Sequence, residues 1–154
     1  MAGLDLKQAL IAGFIAGIVA FVVGSLLYMN PLTSGIYGQH SDWPGLRPMD
    51  FLGGGSAGWM ILMLVGGIVS TMIVAVFYAY IEKAIQIDAV WKKGAVFGIF
   101  LWLVSTLPNA YYTWLMYMYP VALNLIELFN GLAGGLVAGI VIAVMYDKRK
   151  RQDY

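Results

Sequence analysis

The sequence has no cysteine, a single histidine and few charged residues. Without cysteine the chain can form no disulfide, thiolate metal site or iron-sulfur cluster, and it offers no thiol nucleophile. One imidazole, His40, is too little for a zinc or haem site built on histidine. We therefore expect no catalytic residue, no metal and no cofactor, and this disfavours an enzyme.

The charged residues that are present do not form a basic surface. Lysine and arginine number 9 against 8 acidic residues, and the basic ones occur in small groups at the ends of apolar segments. Such groups give no continuous stripe for a nucleic acid. Hydrophobic residues make up 61% of the chain, and its mean hydropathy is +0.80. We therefore expect membrane lipids as partners and no nucleic acid.

Four apolar segments are long enough to cross a bilayer, which takes roughly 20 helical residues. They cover residues 8–29, 58–81, 94–119 and 121–146. The sequence thus predicts a single all-α domain, a bundle of four transmembrane helices. Residues 30–57 and 82–93 form the longer connections, and 147–154 form a basic tail. No small-residue cleavage site follows the first segment, so we expect it to be retained as a span.

The basic residues also predict the orientation of the spans. One group precedes the first span, follows the last one or lies between the second and third: Lys7, Lys83, Lys92, Lys93, Lys148, Arg149, Lys150 and Arg151. Arg47 alone lies in the 30–57 connection. By the positive-inside rule both termini and residues 82–93 are cytoplasmic, and residues 30–57 are exterior. The prolines and aromatic residues of 30–57 indicate a short interfacial element, either a turn that caps the bundle or a binding lid.

Small residues recur at helical spacing in three of the spans. The glycines concerned are Gly13, Gly17 and Gly24 in the first, Gly94 and Gly98 in the third, and Gly131, Gly134 and Gly135 in the fourth. Stripes of small residues let helix backbones approach closely in lipid. We expect them to pack helices together, and we expect a homo-oligomer or a subunit of a membrane complex.

Short similarities suggest that the chain is a parallel repeat of two helical hairpins. The segment 13–18, GFIAGI, resembles 94–99, GAVFGI, and Tyr28-Met-Asn-Pro31 resembles Tyr117-Met-Tyr-Pro120. Residues 67–69 likewise match 139–141. Because each hairpin runs out and back, such halves are related by an axis normal to the membrane.

Glu127 is the one charged residue that the sequence places inside a span. Asn124 lies on the same helix face, and Asn109 and Tyr112 form part of a polar cluster on the third span, near Pro108. We expect Asn124, Asn109 and Tyr112 to surround Glu127 as a ligand or ion site, and Pro108 to kink its helix. Three interpretations stay open: a proton or cation role, hydrogen bonds that only fix helix packing, and a Glu127 side chain that reaches outward to lipid headgroups.

The third and fourth spans carry a family resemblance. Leu101-Trp102 followed by Pro108, then an acidic residue early in the last helix and spaced glycines, resembles a family of four-helix prokaryotic membrane proteins. In that family the first helix ends in a Trp-Tyr-Ser-Pro type motif. This chain has Leu27-Tyr28-Met29-Asn30-Pro31 there. The resemblance implies a four-helix fold and a bacterial or archaeal source, and it implies no activity.

Three hypotheses for function follow from these features. The first is a small transporter, channel or ligand-binding bundle with its polar site at Glu127. The second is an accessory or structural subunit in which the same polar residues fix helix contacts. The third is an enzyme acting on substrates in the lipid phase, which the lack of cysteine and the single histidine disfavour.

Overall fold

A computed structural model describes residues 5–46 and 54–150 of the chain, with the side chains of 148–150 excepted. The described part is helical and has no strand. Its α-helices are α1 (Leu6–Met29), α2 (Pro31–Gln39), α3 (Gly55–Ile81), α4 (Val90–Leu101), α5 (Leu107–Met116) and α6 (Val121–Lys150). A 3₁₀ turn, Glu82–Ala84, extends α3, and a π-helical turn, Trp102–Thr106, joins α4 to α5.

Four helical segments are long and apolar enough to cross a membrane, as the sequence predicts. They are Leu6–Met29, Gly55–Ala84, Val90–Met116 and Val121–Asp147. The chain is therefore an all-α, multi-pass membrane protein with a four-helix bundle. The second and third helices begin three to four residues before the predicted bounds. Helix α2 is a short element within the 30–57 connection.

The helices pack in an order that differs from their order in the chain. Helix α1 contacts both α3 and α6, and α6 contacts both α1 and α4. The order across the bundle is therefore second span, first span, fourth span, third span. The two hairpins, α1 with α3 and α4–α5 with α6, meet mainly through α1 and α6.

Glycines of α1 bring the first hairpin together. A methyl group added at Gly13 would lie 2.5 Å from the Met72 Cα atom, and one at Gly17 would lie 2.7 Å from the Ile68 Cα atom. Both distances are shorter than any real contact of such atoms, so only glycine fits at these positions. The Thr71 hydroxyl adds a polar contact, since it lies 2.9 Å from the Gly13 carbonyl oxygen.

The second hairpin repeats this contact with glycine on both sides. A methyl group at Gly94 would lie 2.7 Å from the Ile140 Cα atom, and one at Gly98 would lie 2.8 Å from the Gly135 carbonyl carbon. Conversely, a methyl group at Gly139 would lie 2.9 Å from the Gly98 nitrogen. The backbones of α4 and α6 thus touch directly.

The packing relates the second and fourth spans in a register one helical turn away from the predicted one. Gly13 and Gly94 are equivalent by their contacts, which makes Met72 equivalent to Ile140. The prediction that 67–69 matches 139–141 is therefore wrong by four residues. In the corrected register, residues 66–78, GGIVSTMIVAVFY, align without a gap with 134–146, GGLVAGIVIAVMY. The two hairpins share both a sequence pattern and a contact geometry.

The largest side chains of the core lie near the end that carries the chain termini. Tyr78 and Tyr146, which are equivalent in the register above, meet edge to face with ring centroids 6.0 Å apart. Phe97 packs against Tyr78, with centroids 5.0 Å apart. All three rings are buried, as is Ala16, which occupies the position in α1 equivalent to Phe97. Small residues on α1 therefore admit α6, whereas a phenyl ring on α4 fills the equivalent space beside α3.

A π-helical turn interrupts the third span just before Pro108. The backbone N–H of Leu107 bonds to the carbonyl of Trp102, five residues earlier. The Ser105 hydroxyl donates to the Leu101 carbonyl at 2.6 Å. The turn places one extra residue in the helix before Pro108. Side chains beyond it are thereby rotated by about 100° from where a continuous α-helix would place them.

Two of the glycines predicted to pack helices have no close neighbour among the described residues. A methyl group at Gly24 or at Gly134 would meet nothing within 4 Å. Gly131 packs against the Thr106 side chain, and Gly135 against the Gly98 carbonyl, as predicted for the stripe of α6. Helical spacing shows which glycines share one face of a helix. The neighbouring helix covers only part of that face, so some of its glycines have no partner within the described residues.

Candidate functional site

The site lies at the beginning of α6, at the end of the bundle away from the termini. Two phenols meet the Glu127 carboxylate there. The Tyr37 hydroxyl donates to Glu127 Oε1 at 3.3 Å, and the Tyr119 hydroxyl donates to the same oxygen. The other oxygen, Oε2, makes no hydrogen bond within the described residues. At 1.5 Å per residue, Glu127 lies about 9 Å into the helix that starts at Val121.

Helix α2 carries Tyr37 to the carboxylate. Asn30 caps this helix, since its side-chain oxygen accepts a bond from the Thr33 backbone N–H at 3.0 Å. Pro31, next in the chain, is well suited to the first turn because it has no N–H to leave unpaired. The chain therefore turns directly from α1 into α2, which contacts both α1 and α6. Tyr119 comes from the short connection between α5 and α6.

Aromatic rings flank the carboxylate on two sides. Tyr28, near the end of α1, meets Tyr37 edge to face with centroids 6.1 Å apart. Trp43, beyond α2, meets Tyr119 in the same way at 5.1 Å. Each pair joins a phenol that donates to Glu127 to a second ring. We call Glu127, Tyr28, Tyr37, Trp43 and Tyr119 the aromatic carboxylate site.

The carboxylate has no cationic partner in the part of the chain that the structure describes. Burial, and then the nearby Glu127 charge, raise the pKa of Tyr37 above its usual range. Burial, and then the hydrogen bond to Glu127, raise the pKa of Tyr119 in the same direction. Both phenols therefore stay protonated and neutral, and they donate without adding charge. Arg47, the one basic residue of the predicted exterior connection, lies outside the described residues.

Asn130 adds an amide one turn further along α6. Its side chain lies beside the Tyr28 phenol, which in turn feels the Glu127 charge. The amide nitrogen Nδ2 is buried and has no hydrogen-bond partner among the described residues. A buried donor without an acceptor costs about 1–3 kcal/mol, so such groups call for an explanation. The polar site thus extends inward from Glu127 along α6.

Of the four residues predicted to form the site, the structure places only Glu127 in it. Asn124 is buried, and its amide donates to the Ala110 carbonyl at 2.9 Å, which ties α6 to α5. Asn109 is exposed, and Tyr112 is 59% exposed with its ring against Tyr111. The predicted contact of Asn109 and Tyr112 with Glu127 is therefore corrected. Both residues follow the π-helical turn, which rotates them off the face that a continuous helix would present.

Sequence reasoning missed Tyr37, which lies outside the four predicted spans, and Tyr119, which was placed at the end of the third one. The available signal was the excess of tyrosine and tryptophan near the ends of the spans, on the same side as the acid. It also missed Trp102, whose indole N–H donates to the Leu128 carbonyl at 2.9 Å. That bond links the π-helical turn to α6 one residue past Glu127. It therefore fixes the position of Glu127 along the bundle axis relative to the third span.

Residues 54–58, GGSAG, have the G-x-S-x-G spacing of a hydrolase nucleophile elbow. In hydrolases that elbow follows a strand and opens a helix. Here Ser56 lies in the first turn of α3, and residues 5–46 and 54–150 contain no strand. His40 lies 2.8 Å from the Ile36 carbonyl of its own helix through Nδ1. The segment before the motif, residues 47–53, lies outside the described residues, so the spacing alone carries no assignment of a nucleophile.

Among the described residues, no three histidine, cysteine or acidic side chains come together as metal ligands. Comparison of the chain with protein-family models, with curated proteins and with solved structures finds no match. The resemblance to four-helix prokaryotic membrane proteins therefore stays a prediction. What the chain does must be argued from the site itself.

Proposed function

We propose that the protein is a small membrane transporter or ligand-binding bundle in which Glu127 holds an exchangeable proton or cation. The observation that carries this proposal is the carboxylate itself. It lies within a span, accepts two phenol hydrogen bonds on one oxygen and has no cationic partner among the described residues. Carboxylates at membrane depth are costly and typically mark proton or ion pathways.

The surroundings of Glu127 support a titratable or cation-binding role over a purely structural one. A packing hydrogen bond between two spans would join Glu127 to another membrane helix. Its partners instead come from α2 and from the α5–α6 connection, which lie at the end of the bundle. Binding or release of a proton would change how strongly Oε1 accepts from both phenols. The state of Glu127 is thereby linked to the position of α2.

The test compares the wild type with Glu127→Gln after reconstitution into proteoliposomes. Glutamine keeps the shape and one acceptor oxygen but removes the titratable charge. We expect the wild type to show ion or proton movement that depends on a pH gradient, and the variant to lose it while it keeps its melting temperature within a few degrees. Asp42→Asn, an exposed acid of the same outer segment, is the matched control and should behave as wild type.

The alternative is an accessory or structural subunit of a membrane complex. Open glycines on the outer surface, such as Gly24 and Gly134, favour it, because small residues allow a further helix to approach closely. A Glu127→Gln protein that matches the wild type in every pH- or ion-dependent assay would leave this alternative in front. A homo-oligomer is compatible with either function.

The proposal places the aromatic carboxylate site on the exterior side, with both termini cytoplasmic, because eight of nine basic residues lie at the opposite end. An Asp42→Cys probe in this cysteine-free chain tests the orientation. An impermeant thiol reagent should label it from outside intact cells. A matching Asp88→Cys probe should be labelled only after the membrane is opened. The reverse pattern of labelling would overturn the orientation.

A further inference from the structure

The proposed function leaves open what kind of cation or proton carrier Glu127 accepts, and the rings around it bear on that question. Two of the four aromatic residues donate hydrogen bonds to the carboxylate, and each packs edge to face on a further ring. An edge-to-face pair occupies the edge of one ring and one face of the other, which leaves further faces for contact. The site therefore combines one negative charge with several aromatic faces.

The oxygen atoms at the site do not suit an inorganic cation well. A hard cation needs several oxygen ligands with free lone pairs arranged around it. The hydroxyls of Tyr37 and Tyr119 both donate to Glu127 Oε1, and among the described residues no three acidic, histidine or cysteine side chains come together as metal ligands. Only Oε2 remains as a charged acceptor. A single carboxylate oxygen can contact one ammonium group, but it cannot supply the several ligands that an inorganic cation needs.

We propose that the aromatic carboxylate site binds a small organic cation, an amine or a quaternary ammonium, with Glu127 as the counter-charge and the tyrosine and tryptophan rings as its lining. This inference rests on the proposed function, which it narrows to one class of ligand. Aromatic faces attract such cations, and the attraction is strongest where water is excluded. Tyr37, Trp43 and Tyr119 are half-buried, so part of each ring is shielded from water.

Asn130 extends the fit to cations that carry an oxygen. Its buried Nδ2 lies near the Tyr28 phenol on the inner side of Glu127 but makes no well-formed hydrogen bond among the described residues. A hydroxyl or carbonyl oxygen about three bonds from the cationic nitrogen would supply an acceptor for this amide. Choline has this pattern, with a trimethylammonium group and a hydroxyl, and it serves as the probe.

The experiment measures choline binding to the purified full chain in lipid nanodiscs by titration calorimetry. Binding should be absent, or at least about tenfold weaker, for the uncharged carbon isostere of choline, in which a tert-butyl group replaces trimethylammonium. Glu127→Gln should weaken binding by on the order of a hundredfold, because it removes the counter-charge. Trp43→Leu should weaken it by roughly fivefold, since it removes one ring face. Asp42→Asn should leave it unchanged.

The outcomes separate the two proposals. Loss of pH-gradient dependence in Glu127→Gln together with no choline binding by the wild type would overturn the organic-cation inference and leave the proposed function standing. Equal binding of choline and its carbon isostere would overturn it as well, since charge would then play no part. If sodium or potassium displaces choline and Trp43→Leu has no effect, the site is an inorganic cation site and the inference fails. Melting temperatures measured alongside show whether each variant is folded.

Discussion

The two hairpins achieve the same close contact with different residues. In the first, glycines lie on α1 alone, and Ile68, Met72 and the Thr71 hydroxyl face them from α3. In the second, Gly94 and Gly98 face Gly135 and Gly139, so both backbones are bare at the contact. The first contact therefore includes side-chain atoms and a polar group. The second places backbone directly against backbone, with the Ala143 methyl as the side-chain atom nearest Gly94.

The hairpins also differ in the side chains that each presents to the other hairpin. Helix α1 presents buried alanines to the core, and α6 approaches it closely. The equivalent face of α4 carries Phe97, which meets Tyr78 of α3 by its ring. The two hairpins therefore meet in two different ways. Helices α1 and α6 form an extensive interface, whereas α4 and α3 meet through the rings of Phe97 and Tyr78. Where α1 has the buried alanines Ala9, Ala12 and Ala16, α4 has the larger residues Val90, Lys93 and Phe97, so α6 can approach α1 more closely than α3 can approach α4.

Loss of the Phe97 ring is the most severe change that we predict. Phe97→Ala removes a fully buried ring between the hairpins and should lower the stability by about 3–5 kcal/mol. Phe129→Ala is the control, since Phe129 is 67% exposed. Thermal unfolding in detergent measures both. Similar melting temperatures for the two variants would show that the Phe97 ring does not stabilise the contact between the hairpins.

Glycine contacts in the second hairpin should come next. In Gly98→Ala the new methyl group would lie 2.8 Å from the Gly135 carbonyl carbon, so the helices must separate, at about 1–3 kcal/mol. Gly134→Ala places a methyl group in open space and should be neutral or stabilising, by up to about 1 kcal/mol from helix propensity. The sign of the change therefore differs between two glycines on facing helices. A destabilised Gly134→Ala protein would reveal a contact beyond this chain.

The Thr71 hydroxyl should give the smallest effect. Thr71→Val removes the polar contact to the Gly13 carbonyl and keeps the shape, so we expect a loss of about 0.6 kcal/mol. Ser70→Ala, at the adjacent exposed position, is the control and should change nothing. A loss well above that size would show that the first hairpin depends on its polar contact as much as on its glycines.

Hydropathy was sufficient to predict the four helices, because length and apolar composition decide whether a segment crosses a bilayer. Glycine spacing predicted which faces of α1, α4 and α6 touch a neighbour, as Gly13 and Gly98 show. Spacing cannot show how far a neighbouring helix extends, and Gly24 and Gly134 have no neighbour within 4 Å among the described residues for that reason. Short apolar matches also left the repeat one turn out of register until the contacts fixed it.

The site was less predictable than the fold. Glu127 was found because a lone acid in an apolar helix is conspicuous. Its partners were sought on the adjacent span, whereas they come from connections whose path depends on a helix cap at Asn30. Asn109 and Tyr112 were misplaced because an extra residue in a π-helical turn leaves little trace in the sequence beyond the nearby Pro108.

The contact of Tyr78 with Tyr146 has a further consequence. The two residues hold equivalent positions in their hairpins, so the same side chain on each side joins the two halves. Changes to either tyrosine disturb the same ring pair, so their energetic effects are not independent and do not simply add in a double variant.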